Sequence, residues 1–246
     1  MRRRIIPLFQ GFPGKTSRGF LGWSSAYLIE KPSNDRIKRY LFDTAGYNER
    51  ILLLEKLQEH GIQPEEIDGV ILSHLHFDHA VNWTLFPKAS IYVHPVELEY
   101  ALKKEVDPAV PEFHAEALQR HANMILVENG DQIDGMEVVE TPGHTPGSFS
   151  LKIDDQMLVG DAVKNRLELI HGPLGNNTWN HAIAYQSIRR IIKEVTKIYP
   201  GHDVPLVKVQ NKWFPIGHAE EIISLQIPKD ETTLSIKIRY NSKEVR

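Results

Sequence analysis

The stretch "LSHLHFDHA" (72–80) places His74, His76, Asp78 and His79 within six positions, directly after an apolar run. Neutral imidazole and carboxylate are the ligands of zinc and of other first-row divalent ions. Crowded together at the end of a strand, the same groups would repel one another unless a cation or a shared proton network compensated. His74 and His76 are two residues apart, so on an extended backbone they project to the same side, about 6.5–7 Å apart along the chain. Asp78 and His79 lie just beyond, where the chain turns toward a helix, and are placed to serve a second ion. The chain has no cysteine, so any metal must rest on histidine and carboxylate.

Four further polar residues follow strand-like runs. Asp43 ends "YLFD", His144 sits in "TPGHTPG" after "MEVVE", Asp161 ends "QMLVGD" and His202 sits in "YPGHD" after "KIY". The Gly and Pro around two of them let the backbone turn sharply and present a side chain.

The elements that must position these residues read as an alternation. "SSAYLIE" (24–30) and "RYLFD" (39–43), joined by the turn formers of "KPSND", predict a hairpin. "NERILLLEKLQEHG" (48–61) has Ile51, Leu54 and Leu57 at helical spacing, with Gly61 as its stop. "IDGVILS" (67–73) is a strand that delivers the histidine cluster at its C-terminal end, where α/β sheets build their sites. "SIYV" predicts another strand, and "PVELEYALKK" and "PEFHAEALQR" predict two helices entered through proline. The strands "MILV", "MEVVET", "SFSLKI" and "QMLVGD" come next. A helix over 184–195, with Ile188, Ile191, Ile192 and Val195 along one side, leads into "KIYPGHD". In the tail, "IISLQIP" and "TLSIKIRY" alternate around "KDET", a hairpin pattern. Two similar units thus carry polar motifs at their strand ends.

The ordered set Asp43, "HLHFDH", His144, Asp161 and His202 resembles the five motifs of the metallo-β-lactamase-fold superfamily across roughly residues 20–205. The resemblance implies an α/β fold, a four-layer αβ/βα sandwich with its site at one edge between the halves. It implies one metal on His74, His76 and His144, a second on Asp78, His79 and His202, Asp161 bridging them, and Asp43 orienting a ligand histidine from behind. Two divalent ions follow, zinc foremost, with manganese or iron as substitutes. The implied chemistry is hydrolysis of an ester, lactone, thioester or related bond by a metal-bridging hydroxide, with Asp78 orienting it and carrying a proton to the leaving group. Competing expectations are a nuclease or phosphodiesterase on the same dinuclear site, and a mononuclear iron oxygenase of persulfide type.

Substrate choice is expected from "QGFPGKTSRGFLGW" (10–23), from the helical segment 95–122 and from "AVKNRLELIHGPLGNN" after Asp161. Around "SHLHFDHA" and "TPGHTPG" the chain is similar to quorum-signal lactonases, in which a tyrosine stands three residues after the bridging aspartate. Here that position is Lys164, which favours an anionic substrate, with His171 as a further contact. "GDAVKNR", "YPGHD" and "HAVNWTLFP" also resemble small metallo-β-lactamase-domain proteins linked to RNA processing.

With 246 residues, 41% of them apolar, the chain is long enough for one large domain, here 1–246 with 206–246 as a C-terminal β-rich extension. The net charge of −3 provides no global field to draw the chain onto nucleic acid. A small-molecule substrate is therefore the expected partner, with nucleic acid and a homodimer contact through the tail as lesser candidates. No secretory leader or run of about 18 apolar residues is present, so a cytoplasmic protein without a membrane span is expected.

Overall fold

The structure, a computed structural model, describes residues 3–17, 19–34, 36–103, 107–175, 178–217, 220–226 and 233–239. The chain opens with β1 (Arg4–Phe9), a short hairpin of β2 (Lys15–Thr16) and β3 (Gly19–Phe20), then β4 (Ala26–Pro32) and β5 (Ile37–Phe42). The expected hairpin is therefore β4–β5, but a strand precedes it. β1 pairs antiparallel with β4 despite Pro7, because it lies at the sheet edge, where a missing N–H removes no ladder bond.

Next come α1 (Arg50–Glu59), β6 (Gly69–Ile71), α2 (Phe77–Ala80), β7 (Ser90–Val93), α3 (Pro95–Ala101), α4 (Glu112–Gln119) and β8 (Met124–Leu126). Helix α1 buries Leu53 and Leu57, while Ile51 is 65% exposed. A run of three leucines offers two possible stripes, and packing against the sheet selects the one that excludes Ile51. The six strands order as β1-β4-β5-β6-β7-β8, parallel from β5 onward.

The second half runs through β9 (Gln132–Ile133), β10 (Met136–Glu140), β11 (Phe149–Ile153), β12 (Gln156–Gly160), α5 (Glu168–His171), α6 (His181–Glu194), β13 (Lys197–Pro200), β14 (Leu206–Val209) and β15 (Lys212–Pro215). They form a seven-stranded sheet of order β15-β14-β13-β12-β11-β10-β9, in which β12 and β13 are parallel. Helix α6 starts three residues earlier than its apolar pattern, because the Asn180 side chain accepts the Ala182 and Ile183 N–H groups. Of the tail, 206–215 supplies the edge of this sheet, while β16 (Glu220–Gln226) and β17 (Thr233–Arg239) pair with each other as the periodicity predicts. The connecting "KDET" lies outside the described residues.

Three apolar clusters define four layers. One packs Leu53, Leu57, Leu98 and Leu118 from the helices against Leu28, Leu41 and Val70 of the first sheet. The second joins the sheets face to face through Tyr27, Phe42, Ile71, Phe149, Leu151 and Tyr199. In the third, Ile188 and Ile191 of α6 cover Val139, Met157 and Ile198 on the far side. This is the mixed αβ/βα sandwich. Among the described residues, no helix is long and apolar enough to cross a membrane.

The topology aims the polar motifs. β5 and β6 are parallel, so Asp43 and the histidine cluster emerge at the same end of the first sheet. β10 and β12 flank the antiparallel β11, so His144 and Asp161 follow codirectional strands, and His202 follows the parallel β13. The middle cluster sets how closely these two ends meet. Phe149→Ala, deleting a fully buried ring between the sheets, should cost about 3–5 kcal/mol in the unfolding free energy measured by denaturant titration.

Candidate metal centre

Each motif residue reaches the site by a local device. The expected strand through the cluster is shorter than predicted: β6 ends at Ile71, and residues 72–76 run as an irregular connection into α2. What arranges His74 and His76 is instead the clamp of Glu97 on α3. Its carboxylate, fully buried, accepts the Leu75 N–H (2.9 Å) and the Gly147 N–H (3.1 Å), tying the cluster to the loop of His144. Gly160 takes φ +48° to turn β12 outward at Asp161, and a Cβ at Gly201 would lie against Asp161 Oδ1.

The sequence-predicted residues converge. His74, His76, Asp78, His79, His144, Asp161 and His202 are all at most 7% exposed. Ligand atoms of His74, His76 and His144 lie within 4.8 Å of one another, as do those of Asp78, His79 and His202, and those of His74, His79 and Asp161. Asp161 stands between the outer sets: Oδ2 is 3.3 Å from His144 Nε2, while Oδ1 is 3.2 Å from His79 Nε2 and 3.3 Å from His202 Nε2. His144 Nε2 faces His76 Nδ1 at 2.9 Å, and His79 Nε2 faces His202 Nε2 at 3.4 Å.

The outer nitrogens fix the ring tautomers. His79 Nδ1–H donates to Asp43 Oδ2 (2.8 Å), and His202 Nδ1–H donates to the Trp23 carbonyl (2.8 Å). His76 Nε2–H donates to Asp107 Oδ2 (2.9 Å). The Ser73 hydroxyl donates to Asp43 Oδ2, so its oxygen is left to accept from His74 Nδ1 at 3.0 Å. Each ring therefore turns a lone pair inward, and His74 Nε2 is buried with no hydrogen-bond partner. Burial together with the neighbouring imidazoles His79, His76 and His144 holds His74 well below the ordinary histidine range. His79 and His202 go the other way. Burial opposes their charging, but the carboxylates of Asp161 and Asp78 outweigh it. Converging nitrogen and oxygen donors, with His74 Nε2 and Asp161 Oδ1 both lacking a hydrogen-bond partner, fit divalent cations.

A cavity of about 280 Å³ opens onto this cluster, lined by His76, Asp78, His144, Asp161 and His202 at its base. The 10–23 loop contributes Pro13, Lys15 and Phe20 to the walls. The segment after Asp161 contributes Lys164, Asn165, Glu168, Leu174 and Gly175. Among the described residues, the 95–122 segment contributes only Ala109, from the connection between its helices. Lys164 thus lies where expected. His171 does not: it is exposed at the end of α5 and is not part of the lining.

Three residues that matter here carry no sequence signal. Asp107 orients His76 and accepts from Tyr100 Oη (3.2 Å), and the His76 contact outweighs burial to bring its carboxyl down to about 2. Asp203 binds Arg166 through its side chain and its backbone N–H, pinning the cavity wall beside His202. Glu168, 2% exposed, accepts from the Lys164 N–H (2.7 Å) and the Leu174 N–H (2.8 Å), and burial pushes it up to about 7. Only the fold brings these residues to the site; "YPGHD" offered Asp203 as a neighbour of His202 but no reason to single it out.

The metallo-beta-lactamase superfamily model matches residues 21–202. The chain belongs to that superfamily. It is 29% identical over 170 residues to a Methanocaldococcus jannaschii protein named "Probable metallo-hydrolase MJ0296", covering 66% of this chain and 70% of that one. It is 32% identical over 159 residues to an N-acyl homoserine lactonase of Bacillus thuringiensis, covering 60% of each. A crystal structure of a B. thuringiensis AiiA variant with N-decanoyl-L-homoserine at its active site superposes with a TM-score of 0.62 at 22% identity, covering 82% of this chain and 93% of that one. The superposition places this chain in the same fold.

Two outcomes follow. Asp43→Ala removes the acceptor behind His79, and zinc affinity measured by competition with a chromophoric chelator should fall about 10–100-fold. Glu168 has a folded pKa raised from 4.5 to about 7, so the native state binds its proton more tightly than the unfolded chain does. Its contribution is full below pH 4.5, declines as pH rises, and is gone above about 7, a difference on the order of 3 kcal/mol. Glu168→Gln cannot titrate, so its stability relative to wild type should rise across pH 4.5–7 in denaturant titrations of metal-free protein.

Proposed function

We propose that the protein is a dinuclear metal-dependent hydrolase of a small anionic substrate containing an ester, lactone or thioester bond. One observation carries this reading: the two oxygens of Asp161 face two different sets of ligands. In this reading His74, His76 and His144 hold one ion, Asp78, His79 and His202 hold the other, and Asp161 bridges. Zinc fits the all-nitrogen-and-oxygen donor set, which manganese and iron would also accept. When bound, such a pair supplies a hydroxide nucleophile at neutral pH and Lewis-acid stabilisation of developing charge. The ligands come from both halves, so residues 4–215 act as one functional unit.

The chain's own groups do the rest. Asp78 lines the cavity with Oδ2 3.4 Å from His202 Nε2, so its carboxylate is placed to orient the nucleophile and to carry a proton to the leaving group. Asp43 and Asp107 keep His79 and His76 in the tautomers that face the ions. Phe20, which lies 5.9 Å from the His202 ring and 6.0 Å from Phe77 between ring centroids, adds an apolar wall to the site from the 10–23 loop. Lys164 supplies a positive charge beside His144 and favours an anion. A lactone enters the list because N-acyl homoserine lactonases are among the relatives. The matched region spans 60% of their length.

Metal-quantified protein should hydrolyse members of a panel of lactones, thioesters, carboxylic esters, phosphodiesters and short RNA. Asp161→Ala should reduce kcat/KM for the active member by at least about 10³-fold, a loss of the order seen on removing catalytic charge stabilisation. Cleavage confined to RNA and phosphodiesters would replace the ester reading with a nuclease. Turnover that survives in Asp161→Ala would place the chemistry elsewhere.

A further inference from the structure

The cavity walls carry more positive charge than the ligand set needs. Lys15, on β2, and Lys164, three residues after Asp161, line the cavity from segments far apart in the chain. The ammonium of Lys15 lies 4.0 Å from where a side chain at Gly175 would begin, which sets it against the cavity wall that follows Asp161. Lys164 is close enough to His144 and Glu168 to influence both electrostatically. Among the described residues neither ammonium has a carboxylate within 4.0 Å. The carboxylates that share the cavity are committed: Asp78 and Asp161 face the histidines, and Glu168 spends one oxygen on each of two backbone N–H groups. The remaining walls include the apolar Pro13, Phe20, Phe77 and Leu174.

We propose that Lys15 and Lys164 form a two-cation clamp for an anionic group of the substrate, a phosphate or carboxylate set apart from the bond that is cut. A neutral ligand of the same shape would leave the half-buried Lys164 without a counter-charge and the exposed Lys15 to water, whereas the cleft walls focus the field of the two like charges on an anion. An anion in the cleft is drawn by both charges, and Asn165, which lines the same cavity, adds a polar side chain that can donate to it. The apolar walls suit the segment between the anion and the scissile bond. The clamp rests on the hydrolase reading for what happens at the metals, but not for binding.

The test uses esters that share a leaving group and chain length and end in a phosphate, a carboxylate, a neutral methyl amide or a trimethylammonium group. Their non-hydrolysable amide counterparts serve as binding probes for metal-free protein in calorimetry. The ratio of kcat/KM for anionic over neutral tails should fall about tenfold in Lys15→Ala and in Lys164→Ala, and further in the double variant. Lys→Arg at either position should recover part of it. Lys56→Ala, a surface lysine paired with Glu59 on α1, should leave the ratio as in wild type. The amide probes should show the same charge preference and the same dependence on the two lysines. A phosphate tail preferred over a carboxylate tail identifies a phosphorylated substrate, and the reverse identifies a diacid half-ester. Equal binding of anionic and neutral probes, or a preference that survives the double variant, overturns the clamp. Lysine-dependent anion binding with no turnover of any ester by metal-loaded protein overturns the hydrolase reading and leaves the clamp standing.

Discussion

Everything in this protein is arranged around imidazole nitrogens that point at one another. His76 meets His144 at 2.9 Å and His79 meets His202 at 3.4 Å, nitrogen to nitrogen, in surroundings at most 7% exposed. Buried imidazole nitrogens this close need a shared proton or a cation between them, and Asp161 and Asp78 favour positive charge at His79 and His202. The outer nitrogens of four of these histidines are already engaged by Ser73, Asp107, Asp43 and Trp23, so the rings cannot escape by flipping. The inward-facing arrangement suits positive charge between the rings, and Asp161 separates two sets of three donors, each of the right chemistry for a divalent cation.

The sandwich exists to make that convergence rigid. Parallel β5 and β6 aim Asp43 and the cluster at one end of the first sheet, codirectional strands aim His144, Asp161 and His202 at the facing end of the second, and the apolar layer between sheets fixes their separation. Glu97 then joins the two loops across the site, and Arg166–Asp203 locks the cavity wall to the segment of His202. The wall that carries Lys164 is therefore held by the same contacts that fix the segment of His202.

Much of this was legible in the sequence, and the exceptions have physical causes. The residues that converge could be read because histidine and aspartate at strand ends are rare combinations, and because Gly and Pro mark the turns that present them. Strand β1 was hidden by Pro7, which a central strand would exclude and an edge strand tolerates. The stripe of α1 was misplaced by one turn position because consecutive leucines fit two faces equally well. Asp107, Glu97 and Glu168 were invisible for a deeper reason. Each acts on a backbone N–H or ring nitrogen that only tertiary structure brings near, and no local spacing encodes such a meeting. His171, expected beside Lys164, turns away because α5 ends in the sharp turn at Gly172, φ +77°.

The central claim is that this cluster holds two ions with Asp161 between them. Anomalous diffraction from crystals of the protein, recorded on either side of the absorption edge of the metal it retains through purification, tests it directly. Two peaks about 3.5–4 Å apart, one against His74, His76 and His144 and the other against Asp78, His79 and His202, are the predicted result. A single peak with the second set unliganded, or no peak in protein that still folds with the same ring arrangement, would contradict it.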